Sequence, residues 1–121
     1  MHHGKRVWFF PDGEMPEATE GALKAHESLI ILNPGTKKTS IHLTLYFETK
    51  APKKGIIIEV GPERVKCVRL DNPEALQGYV IKTGRQYAIK LESEQPVIAQ
   101  YGRLDTTQAN MAFYTTPGYA E

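Results

Sequence analysis

"SIHLTLYFE", residues 40–48, decides the fold. Ile41, Leu43, Leu45 and Phe47 fall on one face, and His42, Thr44, Tyr46 and Glu48 on the other. Strict alternation of this kind marks a β-strand with one face in the core. The same period recurs on both sides of it. "KRVWFF" (5–10) opens the chain as a strand, and "HESLIILN" (26–33) is β-branched in its middle and stops at the turn signal Asn33-Pro34-Gly35. "GIIIEV" (55–60) and "ERVKCVRL" (63–70), joined through Gly61-Pro62, read as an antiparallel pair. "RQYAIKLES" (85–93) and "PVIAQYGRL" (96–104) add two strands broken before Pro96, and "YVIKT" (79–83) a short edge piece.

No segment sustains a helical period. "PEATEGALKAHE" contains helix formers, but Pro16 and Gly21 limit it to one turn. The last 16 residues, "TTQANMAFYTTPGYAE", carry no clear period. The sum is an all-β, single-domain antiparallel β-sandwich of about seven or eight short strands, with residues 1–121 as one domain.

Composition narrows the function classes. Hydrophobic residues make up 40% and charged residues 24%, a globular balance with no apolar run long enough to cross a membrane. Val7 to Phe10 is too short for the apolar core of a signal peptide. One cysteine, Cys67, allows no intrachain disulfide and suits a reducing, cytoplasmic setting. Net charge is +1, which gives no general pull on polyanions. Residues 37–54 are the local exception, with five lysines against Glu48 alone. These read first as solvated loop ends. Nucleic-acid binding through them is the weaker reading, and it would be steeply salt-dependent.

Patterns for catalysis and metal binding are missing from the sequence. There is no G-x-S-x-G, P-loop, H-E-x-x-H or paired CxxC. The four histidines lack zinc-ligand spacing, and His26-Glu27, adjacent in a strand, point to opposite faces. No enzyme, metal or cofactor is expected. What remains is "QYGRLDTTQAN" (100–110), where an apolar strand ends in Arg103 and Asp105 on the face of Val97, Ala99 and Tyr101. "RLD" also stands at 69–71. Arg offers a planar fork for carboxylates or sugar hydroxyls, and Trp8 and Tyr46 offer flat faces to a ring. The competing reading pairs Arg103 and Asp105 with each other or with Arg69 to terminate the sheet.

Several pieces together resemble the sensory rhodopsin transducer family. They are "GKRVW" followed by "DGEMP", "HESLIILNPG", "LTLYFE", "VGPERVKCVRLD", "QPVIAQYGRLDTTQANMA" and the terminal "TPGYA". The combination, in order and spacing, is specific and covers nearly the whole chain, most weakly at 72–84. Lys5-Arg6, Pro11-Asp12 and the basic 50–54 loop depart from the family pattern. The resemblance implies an antiparallel β-sandwich that assembles as a homotetramer with a non-enzymatic signalling role. It also implies a small-molecule-binding module, for a sugar-like metabolite. Its polar signature maps to Trp8, His26, Glu27, Asn33, Arg69, Arg103, Asp105 and Gln108. A protein-interaction adaptor, in which that polar set is structural, is the alternative. A signalling protein partner fits both readings, and nothing in the chain itself points to a rhodopsin.

Overall fold

The computed structural model describes residues 3–17, 24–106 and 112–121. Eight strands run in chain order: β1 (Lys5–Glu14), β2 (His26–Asn33), β3 (Thr39–Phe47), β4 (Lys53–Val60), β5 (Arg64–Arg69), β6 (Gln86–Asp105), β7 (Ala112–Pro117) and β8 (Tyr119–Ala120). Among the described residues one 3-10 turn, Pro73–Leu76, is capped by the Asn72 side chain. All pairings are antiparallel. The expected β-sandwich is the fold.

Its organising element is β6. Residues 85–93 and 96–104 are not two strands but one of 20 residues. The first half pairs with β1 and β3, and the second with β2 and β7. One leaf is therefore β4-β3-β6-β1-β8, and the other is built from β5, β2, the end of β6 and β7. The corner lies at 93–96. There the β1 register jumps from Val7↔Glu92 to Lys5↔Val97, so β6 carries extra residues against β1. Such bulges bend a strand, and Pro96 sits in this one, where its missing N–H costs no ladder bond. Side-chain phase survives the corner. Tyr87, Ile89, Leu91, Val97, Ala99 and Tyr101 are all buried, so one strand lines the core of both leaves.

Apolar alternation in β3 is realised as read, with Ile41, Leu43 and Leu45 fully buried. The pairing of 55–60 with 63–70 is corrected. β4 pairs with β3, and β5 with β2. Glu63 is left-handed (φ 52) and the 61–63 connection crosses between leaves. Two short strands joined by a tight turn need not pair when each finds a better neighbour. Residues 79–83 form no strand, although Ile81 is buried. Conversely, the tail without a clear period supplies β7 and β8. Gly118 permits the step between them, because a Cβ there would meet the Phe9 carbonyl oxygen at 2.5 Å and the Phe10 ring at 2.7 Å.

Candidate functional site

β2, β6 and β7 place three residues in one cross-sheet row: Glu27 opposite Arg103, and Arg103 opposite Tyr114. Directly paired side chains in antiparallel strands are close enough to interact. The Glu27 side chain is 0% exposed. Its Oε1 accepts from the Tyr87 hydroxyl at 2.6 Å. Its Oε2 accepts from Arg103 Nε and from the Glu14 backbone N–H, both at 3.0 Å.

Tyr87 arrives from the first half of β6, and Glu14 from the end of β1, so the carboxylate ties both leaves together. Gly13 makes this possible. It faces Tyr87 in the register, and a Cβ there would lie 2.7 Å from the tyrosine ring.

Electrostatics follow from burial. Desolvation pushes the Glu27 carboxyl above its ordinary range, against the pull of Tyr87, the Glu14 N–H and Arg103. Burial, and then the Glu27 charge, raise the Tyr87 phenol well above its usual value. Burial lowers the Arg103 guanidinium, but the nearby Glu27 carboxylate outweighs it and the net direction is up. Three donors converge on this one buried acceptor, Glu27, and oppose the effect of burial on its carboxyl.

Arg103 is only partly used by this contact. Its side chain is 18% exposed, and its Cζ lies 5.3 Å from the Tyr114 ring centre and 6.0 Å from that of Tyr101. Two polar atoms here, Arg103 Nη2 and the Tyr101 hydroxyl, are buried without a hydrogen-bond partner among the described residues. Phe10 packs on Tyr101 and Tyr101 on Tyr114, each with ring centres 6.4 Å apart. Those three rings, with Asp12, Gly118 and Tyr119, line a groove of about 490 Å³.

The Anabaena sensory rhodopsin transducer family model matches residues 3–120. The chain belongs to this transducer family. Among solved structures, the crystal structure of Thermotoga maritima 1070 superposes with a TM-score of 0.87 at 37% identity, covering 98% of this chain and 96% of that one. Anabaena sensory rhodopsin transducer itself superposes at 0.76 with 27% identity, covering 90% and 96%. No curated protein matches.

Of the transducer-like signature, the fold brings Glu27 and Arg103 together, with Asp105 two residues along the same face of β6. The others are placed elsewhere. Trp8 is buried in the core, stacked on Phe10 at 6.3 Å. Its indole N–H donates to the carbonyls of Val97 at 3.1 Å and Lys5 at 3.2 Å, which holds the β6 corner. Asn33 is fully buried, and its amide donates to the carbonyls of Lys37 and Gly61 at 2.8 and 3.0 Å, tying the β2–β3 turn to the leaf crossing. His26 Nδ1 lies 2.8 Å from the Lys24 carbonyl. Arg69 forks onto Asp71, with Nε and Nη2 donating at 2.9 and 2.8 Å. In place of a pairing of Arg103 and Asp105 with each other or with Arg69, Arg103 pairs with Glu27 and Arg69 with Asp71. Gln108 lies outside the described residues. Among the described residues no group of three His, Cys, Asp or Glu could hold a metal ion.

Sequence reasoning missed Tyr87, Tyr101 and Tyr114. A usable signal existed for the first two, which share parity with Arg103 once β6 is read as one strand. None existed for Tyr114, which lies in the segment lacking a clear period.

Proposed function

We propose that this chain is a non-enzymatic signalling module of the transducer family, one domain over residues 1–121, that binds a small sugar-like ligand in the groove beside Arg103. The single observation behind this reading is a pair of buried donors without a partner among the described residues, the Tyr101 hydroxyl on an aromatic groove and Arg103 Nη2 behind its Tyr114 wall. A buried donor left unsatisfied costs about 1–3 kcal/mol, and a ligand hydroxyl would relieve it. Aromatic walls supply the flat faces that sugar rings pack on, and Asp12, on the groove wall, accepts hydroxyls. Asp105 extends the polar edge. His26, Arg69, Asn33 and Trp8 position the surrounding strands, and Gln108 belongs to the same reading by family signature alone.

The second reading is an adaptor in which the polar set is structural. It is favoured by the zero exposure of Glu27 and its three donors. A thermal-shift screen of sugars and related metabolites on wild type and Tyr114→Ala separates the two, since a ligand preferring the native state raises the melting temperature. Tyr114 is exposed and is not one of the three hydrogen-bond donors to Glu27, although its ring lies against Arg103. Ligand binding predicts a wild-type rise that Tyr114→Ala abolishes. The adaptor reading predicts no rise in either protein.

Self-association belongs to the same proposal. Val65, Leu32 and Ile98 are exposed and directly paired across β5, β2 and β6, an aliphatic row on the outer face of one leaf. We assign this row to contacts between copies in a homotetramer. Light scattering on Leu32→Glu tests it, with a smaller particle as the expected result. The Anabaena protein is by name a transducer for a sensory rhodopsin. For this chain we propose a cytoplasmic signalling protein as partner, to be sought by pull-down from its own cells. No described helix is long and apolar enough to cross a membrane.

A further inference from the structure

A second cavity, of about 360 Å³, opens where β1 and β3 end and β6 begins. It is separate from the Arg103 groove and uses different residues. Its wall carries Phe47, Tyr79 and the buried Ile81. The Phe47 and Tyr79 rings are tilted against each other at 6.5 Å. Three cations, Lys50, Lys82 and Arg85, line the cavity with two carboxylates, Glu14 and Glu48. Gly84, at φ +71, turns the chain between Lys82 and Arg85 so that both line the same space.

Two lysines here are held on ring faces. Lys50 Nζ sits 4.3 Å from the Phe47 ring centre, and Lys53 Nζ sits 5.7 Å from that of Tyr79. A ring face orders an ammonium without cancelling its charge. None of Lys50, Lys53, Lys82 and Arg85 has an ion pair among the described residues. Three cations against two carboxylates leave a net positive, concave, partly apolar space, a site for a compact anion. The two carboxylates select further. They repel an extended polyanion and accept hydroxyl groups from a neutral body.

We propose that this cavity binds a small sugar phosphate, with the phosphate on Lys50, Lys82 and Arg85 and the sugar hydroxyls on Glu14 and Glu48. The apolar edge of the sugar packs on Phe47, Tyr79 and Ile81. The proposal does not depend on the Arg103 groove.

Calorimetric titration of the full chain at low salt tests it, with glucose 6-phosphate, glucose, inorganic phosphate and a single-stranded oligonucleotide as separate probes. Glucose 6-phosphate is expected to bind about tenfold or more tightly than either glucose or phosphate alone, since both halves of the site contribute. The double variant Lys82→Gln/Arg85→Gln, at two exposed positions, is expected to weaken it by about tenfold or more, while Tyr114→Ala leaves it unchanged. Amide shifts on titration should cluster at 48–50 and 79–86. Equal binding of phosphate and the ester, tighter binding of the oligonucleotide, or unchanged affinity in the double variant would overturn the assignment. So would loss of binding in Tyr114→Ala, which would move the ester to the other groove.

Discussion

Arg-Leu-Asp occurs twice in this chain, and the two copies flank the same strand. Arg69-Leu70-Asp71 closes β5 on one side of β2, and Arg103-Leu104-Asp105 closes β6 on the other. In the first copy the arginine turns to its own aspartate, two residues on, in a bidentate surface pair. In the second it reaches across the ladder to Glu27. Register explains the divergence. Arg103 lies directly opposite Glu27, whereas Arg69 lies opposite Ser28, whose side chain holds no charge. Leu70, the residue after β5, gives Glu27 a backbone bond, from its N–H to the Glu27 carbonyl at 3.0 Å. The same three residues thus build a buried polar centre in one place and a solvated strand end in the other.

This contrast breaks most visibly at Glu27. Glu27→Ala removes the acceptor for three donors and leaves the Arg103 charge uncompensated. A loss of about 3–5 kcal/mol in unfolding free energy is expected from urea denaturation. A loss below about 1 kcal/mol would place Glu27 with exposed pairs and erase the distinction. Tyr87→Phe is the narrower cut. It deletes the 2.6 Å hydroxyl contact and keeps the ring against Gly13. The expected loss is about 1.5–3 kcal/mol, the range for a hydrogen bond to a charged group, read from the same denaturation curves.

How much of this was legible beforehand depends on where the period survived. β2 and β3 alternate or run apolar between turn signals, and their bounds could be read within a residue. β6 was legible in its two halves but not as one strand, because Glu94, Gln95 and Pro96 imitate a loop. Only the bulge geometry against β1 shows that the chain bends there without ending. β7 and β8 were invisible, since an exposed edge strand has no buried face to impose a period. In the site, Arg103 was legible as the charged end of its strand, Glu27 came from the family resemblance, and their pairing came from register. Tyr87 could not be connected to Glu27 from sequence, because the two are 60 residues apart and meet only across the leaves.

Acid titration sharpens the comparison, because the two carboxylates move in opposite directions. Burial raises the folded-state pKa of Glu27 above 4.5. Between that raised value and 4.5 the folded protein binds more protons than the unfolded chain. This group's contribution to stability is therefore full below 4.5 and is lost as pH rises through the folded pKa. Asp71 is the reverse. Burial works to raise it, but the hydrogen bonds and charges of Arg69 and Lys24 outweigh that and hold it below 3.8. Its contribution is present above 3.8 and is lost as pH falls through the depressed value. Comparing wild type with Glu27→Gln from neutral pH down to 4.5, wild type should gain on the variant. Slopes of the same sign for the Glu27→Gln and Asp71→Asn comparisons would contradict the assigned environments.

Asp71→Asn itself carries the smallest expected effect. The carboxylate is 12% exposed, but its partner Arg69 is 41% exposed, and Lys24, at 3.4 Å, is more exposed still. Both cations can return to water when the charge is removed, so no buried ion is orphaned. The bidentate fork is well aligned, which puts the loss near the top of the range for exposed pairs, at about 1 kcal/mol. It should shrink in high salt, where solvent-accessible charges are screened, while the Glu27→Ala loss should barely respond. A salt-insensitive Asp71→Asn loss as large as that of Glu27→Ala would mean that the two Arg-Leu-Asp copies do the same structural work after all.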